Sequence, residues 1–340
     1  MTIFESKKLG EMAGATKVVI YGLLGVWTFI VLFPLYWVCI TSFKLPIDVS
    51  GGPFYVPFID YWPSMHAWRY IFVDLGNDTF RPYMNSVIVA AFSTMLVMSV
   101  GSLAAYALSR FAFRPRLVTI AIFIAAVVLV ILMVVMGLGW KLAASVGMAL
   151  AVVVTQALRR VPSPAVGNAD ILFWLISQRI FPPIVAALPI YVMFQQVSLL
   201  DTHLALILTY TTVNLPIVIW LMYDFFASIP KDLEESAELD GASKIRIFLE
   251  IILPLSAPGL IATSLLVLIF SWNEYLLALF LSTAKAQTIP LLVAAQNATR
   301  GPQWWYMSVL IIIMIAPVIL LTLFLQRFIA KGLLLGAVKG

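Results

Sequence analysis

Eight runs of apolar residues recur along the 340-residue chain, at roughly 18–40, 84–108, 117–138, 142–158, 171–197, 204–226, 255–281 and 307–328. A helix needs about 20 residues to cross the hydrocarbon core of a bilayer. In hydrocarbon a segment has to satisfy its own backbone polar groups, so such runs fold as helices. The composition agrees: 62% of residues are apolar and 11% charged, whereas a soluble domain is about half apolar. The expected fold is an all-α polytopic membrane protein. The run at 142–158 is the shortest, and the turn before it, Gly137-Leu138-Gly139-Trp140-Lys141, suits a tight helical hairpin.

Lysine and arginine placement sets the expected orientation. With eight crossings and a cytoplasmic N-terminus, fourteen basic residues fall inside: Lys7, Lys8, Lys17, Arg110, Arg114, Arg116, Arg159, Arg160, Lys231, Lys244, Arg246, Arg327, Lys331 and Lys339. Six fall outside (Lys44, Arg69, Arg81, Lys141, Lys285 and Arg300), and Arg179 lies within a run. The excess of inside charge places both termini in the cytoplasm. Six crossings, with 117–158 as a re-entrant pair, would give the same sidedness. The first run is too long for a signal peptide and lacks a cleavage pattern, so it reads as a retained helix. The single cysteine, Cys39, excludes a disulfide framework or a metal cluster built on thiolates.

The chain then divides into a cytoplasmic N-terminus (1–17), first spans (18–116) with an external loop at 41–82, a hairpin at 117–158, a core at 171–328 and a tail at 329–340. The external segment 41–82 is rich in Pro, Tyr, Trp and Phe, and 282–306 carries Gln287, Gln296, Asn297, Arg300 and Trp304-Trp305; these suit an interfacial belt or contact with an external protein or solute.

Inside the core, residues 228–254 form a charged insert between two apolar runs. Pro230 can open a helix, with Ser228 as a cap. Asp232, Glu234 and Glu235 would then place negative charge at the positive end of its dipole. Gly241 interrupts, a second short helix follows, and Pro254 breaks it. Ala237, Leu239 and Ala242 would present small apolar contacts to a partner.

The pattern Glu235, Ala237, Gly241, Ile251, Leu253 and Pro254 resembles the signature loop of permease subunits in bacterial binding-protein-dependent ABC importers. Ser236 departs from the usual alanine. Leu199-Leu200-Asp201-Thr202, Phe270-Ser271-Trp272-Asn273-Glu274-Tyr275 and the closing Gly336-Ala337-Val338-Lys339-Gly340 are similar to the maltose-type, carbohydrate-uptake class. The resemblance covers the chain outside 117–158. It implies a six-helix type I permease core plus an extra transmembrane hairpin in the inner membrane, and no enzyme activity on this chain. It also implies partners: a homologous second permease, two copies of a cytoplasmic ABC ATPase carrying ATP and Mg, and an external solute-binding protein. Glu235, Ala237, Asp240, Gly241, Ile251, Leu253 and Pro254 would couple to the ATPase, with Gly241 as a flexible point. The implied cargo is a sugar or sugar alcohol; glycerol, glycerol phosphate or another small polar solute is the alternative. The loop 282–306 would reach the binding protein and the tail 332–340 the ATPase interface.

No phosphate-binding Gly-x-x-x-x-Gly-Lys-Ser/Thr loop occurs, and no catalytic set or metal-ligand spacing. His66 and His203 lie far apart in sequence. An ion-coupled secondary transporter would need coupling carboxylates at mid-membrane and no docking loop. Polar residues within the runs are functional candidates because charge in a bilayer is costly. Arg179, Pro182, Pro183, Asn214, Asn273 and Glu274 are candidates for the translocation path or a gate. Arg179 alternatively snorkels to the interface, and Asn273 and Glu274, expected deep in the 255–281 run, alternatively serve structure. The hairpin 117–158 either faces lipid or contacts a partner permease or a lipid.

Overall fold

The computed structural model describes residues 14–297 and 301–337, with the backbone alone at Ala15 and 327–337. Most of the segment 1–17, Arg300, and the side chains of the tail 329–340 therefore lie outside the described residues. The described chain is helical, with isolated bridges in place of strands. Its helices are α1 (Gly14–Thr41), α2 (Gly76–Arg110), α3 (Leu117–Val135), α4 (Trp140–Ala157), α5 (Asn168–Ser177), α6 (Pro183–Gln196), α7 (His203–Ala227), α8 (Asp232–Leu239), α9 (Lys244–Ile247, continuing in a wide turn through Ile252 to Leu255), α10 (Ala257–Trp272), α11 (Leu276–Leu281), α12 (Ile289–Ala295) and α13 (Trp304–Ala337).

Six of the described helical segments are long and apolar enough to cross a membrane, and eight qualify if each of two bent pairs makes one crossing. The bent pairs are α5–α6, at 90°, and α9–α10, at 79°. The first bend falls where Pro182 and Pro183 withdraw two backbone donors from the helical ladder. Both hairpin helices, Leu117–Val135 and Trp140–Arg160, are long and apolar enough to cross, and the bent pairs lie elsewhere.

Two further expectations change, for the run 255–281 and for Pro254. The run 255–281 is not one helix: α10 ends at Trp272 and residues 273–275 are non-helical before α11. Pro254 does not break the chain before the span. It sits inside the last turn of α9, and the break falls two residues later at Ser256. Pro258 stands in the first turn of α10, where its missing donor costs nothing, so it is no kink. Pro216 and Pro317 lie inside continuous helices.

The fold separates into two compact units. One contains the first helix and its loop through Ala91, Ala187–Ile207 and Ile269–Phe324. Its loop after α1 is pinned by Lys44, which is 2% exposed. The ammonium donates to the Phe54 carbonyl and lies 4.6 Å from the Trp37 ring centre and 5.1 Å from that of Tyr61. Burial holds its pKa below the usual lysine value, although Asp48 and Asp60 pull the other way.

In the same unit Asp201, in the Leu-Leu-Asp-Thr turn, accepts backbone N–H bonds from Thr283, Ala284, Lys285 and Ala286 at 2.9–3.3 Å. Burial alone would raise the carboxyl pKa. The donors of Ala286, Lys285, Thr283 and Ala284 outweigh it and hold the group near about 2. Asn85 donates to the carbonyls of Lys285 and Gln287 at 2.9 and 2.8 Å, and Ser86 accepts from Ile289 N–H. Because the Asn85 amide nitrogen is committed as donor, its oxygen receives the 2.6 Å bond from His203 Nε2. The strap 283–289 is thus held from two elements, the Asp201 turn and the face of α2 that carries Asn85 and Ser86. His66 stacks on Tyr306, 5.7 Å between centres, and no group of three or more metal-ligating side chains occurs among the described residues.

The other unit contains Phe92–Ala186 and Leu208–Leu268 with the end of α13. Its core joins Val97, Met98, Ala105 and Tyr106 of α2 to Val218, Ile219, Met222 and Phe226 of α7 and to Ile247, Phe248 and Ile252 of α9. Close approach is bought with glycine at two places: a Cβ on Gly101 would meet Val218 at 2.5 Å, and one on Gly259 would meet the Phe225 ring at 2.5 Å. The α3–α4 hairpin turns through Gly137, at φ +90°. Ala143 and Gly147, four residues apart, are the buried positions of α4, and Gly147 brings its backbone against Val130 of α3. This is small-residue packing of the kind that joins helices in lipid.

Candidate functional site

The charged insert folds on the second unit as two short helices, α8 and α9, joined by a locked turn. Asp232, Glu234 and Glu235 occupy the first turn of α8, as the dipole argument requires. Ser228 does not cap it. Its hydroxyl bonds back to the Phe225 carbonyl, and the helix starts three residues later after Lys231, without a side-chain cap.

At the far end, Gly241 takes φ +82°. Ala242 N–H reaches the Ala237 carbonyl at 3.0 Å and Gly241 N–H the Glu238 carbonyl at 3.0 Å. This bond pair is a Schellman cap, which satisfies the end of α8 and needs a left-handed residue. Gly241 is therefore a fixed corner and not the flexible point expected. Ser243 opens α9 by accepting from Arg246 N–H at 3.3 Å. Lys244 pairs with Glu238, and Arg246 with Glu250 at 2.9 Å. These pairs are exposed and contribute little.

The insert is fastened by Glu234, which is 5% exposed. Its carboxylate pairs with Arg110 Nε at the end of α2 and accepts a 2.8 Å bond from the Tyr106 hydroxyl. Arg110 Nη2 also donates to the Ile229 carbonyl at 3.0 Å. Next to this network, the rings of Tyr106, Phe226 and Phe248 pack at 4.9–6.1 Å centre to centre, one each from α2, α7 and α9. Such aromatic pairs add about 0.5–1.5 kcal/mol each beyond their area.

The expected coupling residues divide between two faces. Glu235, Asp240 and Gly241 are exposed, as is Pro254. Ala237 and Ala242 turn inward with Ile251 and Leu253 and pack on the core cluster, so they are not the free contact surface expected. Leu239 does face outward, 90% exposed, with Ile245 beside it in sequence order on α9 at 73%. Leu233 and Leu249 are exposed as well, so the insert leaves several large apolar side chains uncovered outside the spans, as an interaction surface does.

Of the expected path residues, the fold brings two together. Arg179 Nη1 donates to the Val213 carbonyl at 3.2 Å and to Asn214 Oδ1 at 3.3 Å. Asn214 is buried, and Pro182 and Pro183 lie exposed at the α5–α6 bend. Asn273 and Glu274 are not within a span helix. They stand in the break after α10, where Asn273 Nδ2 bonds the Ile269 carbonyl and Glu274 Oε1 accepts from Leu277 N–H at 2.9 Å, capping α11. The sequence reading placed Glu234 only as a helix-start charge and Arg110 only as a cytoplasmic charge, and it did not name Tyr106. One signal was available: Glu234 stands three residues before Ala237, on the same face of α8.

The family model for the inner membrane component of binding-protein-dependent transport systems matches residues 98–334. The chain belongs to that family. The permease is 31% identical over 314 residues to the trehalose/maltose transport system permease protein MalG of Thermococcus litoralis, covering 92% of each chain. It is 27% identical over 310 residues to the sulfoquinovosyl glycerol transport system permease protein SmoH of Agrobacterium fabrum, covering 91% of this chain and 89% of that one. Its fold matches a chain of a bacterial ABC transporter involved in import of the acidic polysaccharide alginate, at a TM-score of 0.65 and 20% identity, over 96% of this chain and all of the other. The permease is thus a multi-pass transport subunit with the core fold of ABC importer permeases. It is not an enzyme, and it works with a separate ATPase and a binding protein.

Proposed function

We propose that the permease carries a sugar, sugar alcohol or related polyol derivative across the bacterial inner membrane by alternating access. The trehalose/maltose and sulfoquinovosyl glycerol relatives support the cargo class. The permease pairs with a second, homologous permease and with two ATPase copies that hold ATP and Mg. Both termini and the α8–α9 insert face the cytoplasm, and the insert docks in a cleft of the ATPase. ATPase closure pushes on the corner at Gly241, and the Glu234–Arg110 network passes the displacement to α2.

The observation that carries this reading is Leu239, almost fully exposed at the tip of a helix whose other face is fastened to the core. An insert that only connected two spans would not need both a buried anchor and an apolar tip. The test replaces Cys39, the single cysteine, with Ser and places Leu239→Cys in the assembled transporter. Crosslinking to the ATPase, and protection from a membrane-impermeant thiol reagent added outside, are expected. Outside labelling, or no ATPase adduct, would refute the docking.

A further inference from the structure

We propose that the basic collar at the root of the α3–α4 hairpin is a binding site for an anionic phospholipid headgroup. Between Arg81 and Asp201 the sequence holds a single acidic residue, Asp170, yet it holds Arg110, Arg114, Arg116, Lys141, Arg159, Arg160 and Arg179. Arg110 is committed to Glu234 and Arg179 to the α7 backbone and Asn214. Four of the others, Arg114, Arg116, Arg159 and Arg160, stand where the hairpin leaves the permease and where it returns.

The fold gathers these four. Leu117 N–H bonds the Pro164 carbonyl and Val166 N–H the Pro115 carbonyl, both at 2.9 Å, while Val118 N–H donates to Ser163 Oγ at 3.1 Å. Arg116 Nη1 donates to the Arg159 carbonyl at 2.7 Å. The two ends of the insertion are therefore clamped side by side. None of the four arginines joins an ion pair among the described residues. Asp170 accepts from Gly167 N–H at 2.9 Å, which leaves it closing its own helix start. Arg114, Arg159 and Arg160 are exposed.

Depth decides what meets them. No residue of α3 is buried, and α4 buries only Ala143 and Gly147, against α3. A hairpin so apolar and so uncovered lies in lipid. Arg116 immediately precedes α3 and Arg159–Arg160 follow α4. The guanidinium groups then lie where hydrocarbon gives way to headgroups. Exposed Phe113, Leu117 and Val161 flank them and offer an apolar shelf for an acyl chain. Guanidinium matches phosphate by paired hydrogen bonds, and clustered basic residues beside a span recognise anionic lipid. Sidedness alone would be served by arginines that were not clamped together.

The test uses the assembled transporter in phosphatidylcholine discs containing rising fractions of phosphatidylglycerol. The readouts are lipid retained per complex by native mass spectrometry and the unfolding temperature. The triple variant Arg114→Gln/Arg159→Gln/Arg160→Gln should bind phosphatidylglycerol on the order of a hundredfold more weakly, at about fivefold per arginine. The corresponding Arg→Lys triple should keep most of the affinity, and Lys141→Gln at the opposite turn should change nothing. Should the triple Gln variant fail to assemble, each single variant is read in the same way and should lose about fivefold. Equal retention by wild type and these variants would overturn the proposal. So would displacement of the bound lipid by millimolar inorganic phosphate, which would make free phosphate the ligand.

Discussion

Replacing Arg110 with Met while leaving Glu234 in place isolates the anchor of the insert. The two side chains are 7% and 6% exposed. Removing one partner leaves a buried carboxylate with only the Tyr106 hydroxyl as donor. Breaking a buried pair in this way costs about 3–5 kcal/mol, two to four decades in the equilibrium between anchored and released insert at about 1.4 kcal/mol per decade. Glu234→Met should cost a similar amount. The double variant Arg110→Met/Glu234→Met leaves no unpaired charge. It strands the Tyr106 hydroxyl and the Ile229 carbonyl, at about 1–3 kcal/mol each. It should therefore be more stable than the two single costs added, with a coupling energy of about 2 kcal/mol or more. The assay is a double-mutant cycle on the assembled transporter, reading the midpoint of thermal inactivation and the ratio of solute uptake to ATP hydrolysis. Single variants should keep ATP hydrolysis and lose uptake, and the double variant should regain part of the ratio. Strictly additive costs, or a double variant with uptake no better than the worse single one, would refute the anchoring role.

Other outcomes follow from the same geometry. Gly241→Asn should retain most uptake and Gly241→Val little, because the space around Gly241 is open and the penalty of about 1–2 kcal/mol lies in the left-handed backbone; membrane insertion, read by fractionation, should be unchanged in both. Asp201→Asn should free the strap 283–289 at a cost of about 1.5–3 kcal/mol for hydrogen bonds to a charged group, seen as faster proteolysis there. The carboxyl pKa is lowered in the fold to about 2 from 3.8. Its contribution is present above about pH 4 and lost as pH falls toward 2, so amide hydrogen exchange in the strap, corrected for its intrinsic pH dependence, should lose protection between pH 4 and pH 2 and show no change between pH 5 and 8. Joining Arg116 to Arg159 by a short linker in place of 117–158 should preserve assembly with the ATPase by co-purification, since the hairpin packs on itself.

The sequence made the spans legible wherever hydropathy and helix coincide. It made the α5–α6 bend legible through Pro182 and Pro183, because proline acts on its own backbone. The corner at Gly241 was visible for the same local reason, although its rigidity came from the bonds of Ala242 and Gly241. The misreadings have a common cause. Residues 255–281 are apolar throughout, so hydropathy runs on across the break at 273–275, and Asn273 and Glu274 were placed in a span when they close one. Pro254 was expected as a terminator, but it lies inside the last turn of α9, and the break falls at Ser256. The Arg110–Glu234 pair joins residues 124 apart, and nothing local to either residue names the other.

Asn168 donates to the carbonyls of Leu108 and Phe111, both at 2.7 Å, and accepts from Phe113 N–H at 3.0 Å. The polypeptide thus rejoins itself where it departed, and everything from 114 to 167 hangs from a closed seam. Such seams tolerate foreign cargo, since neither end has to move to admit it. The hairpin turn at Gly137 is then a grafting port: a fluorescent reporter spliced there would ride on the permease without touching the Glu234–Arg110 pair that fastens the insert to α2.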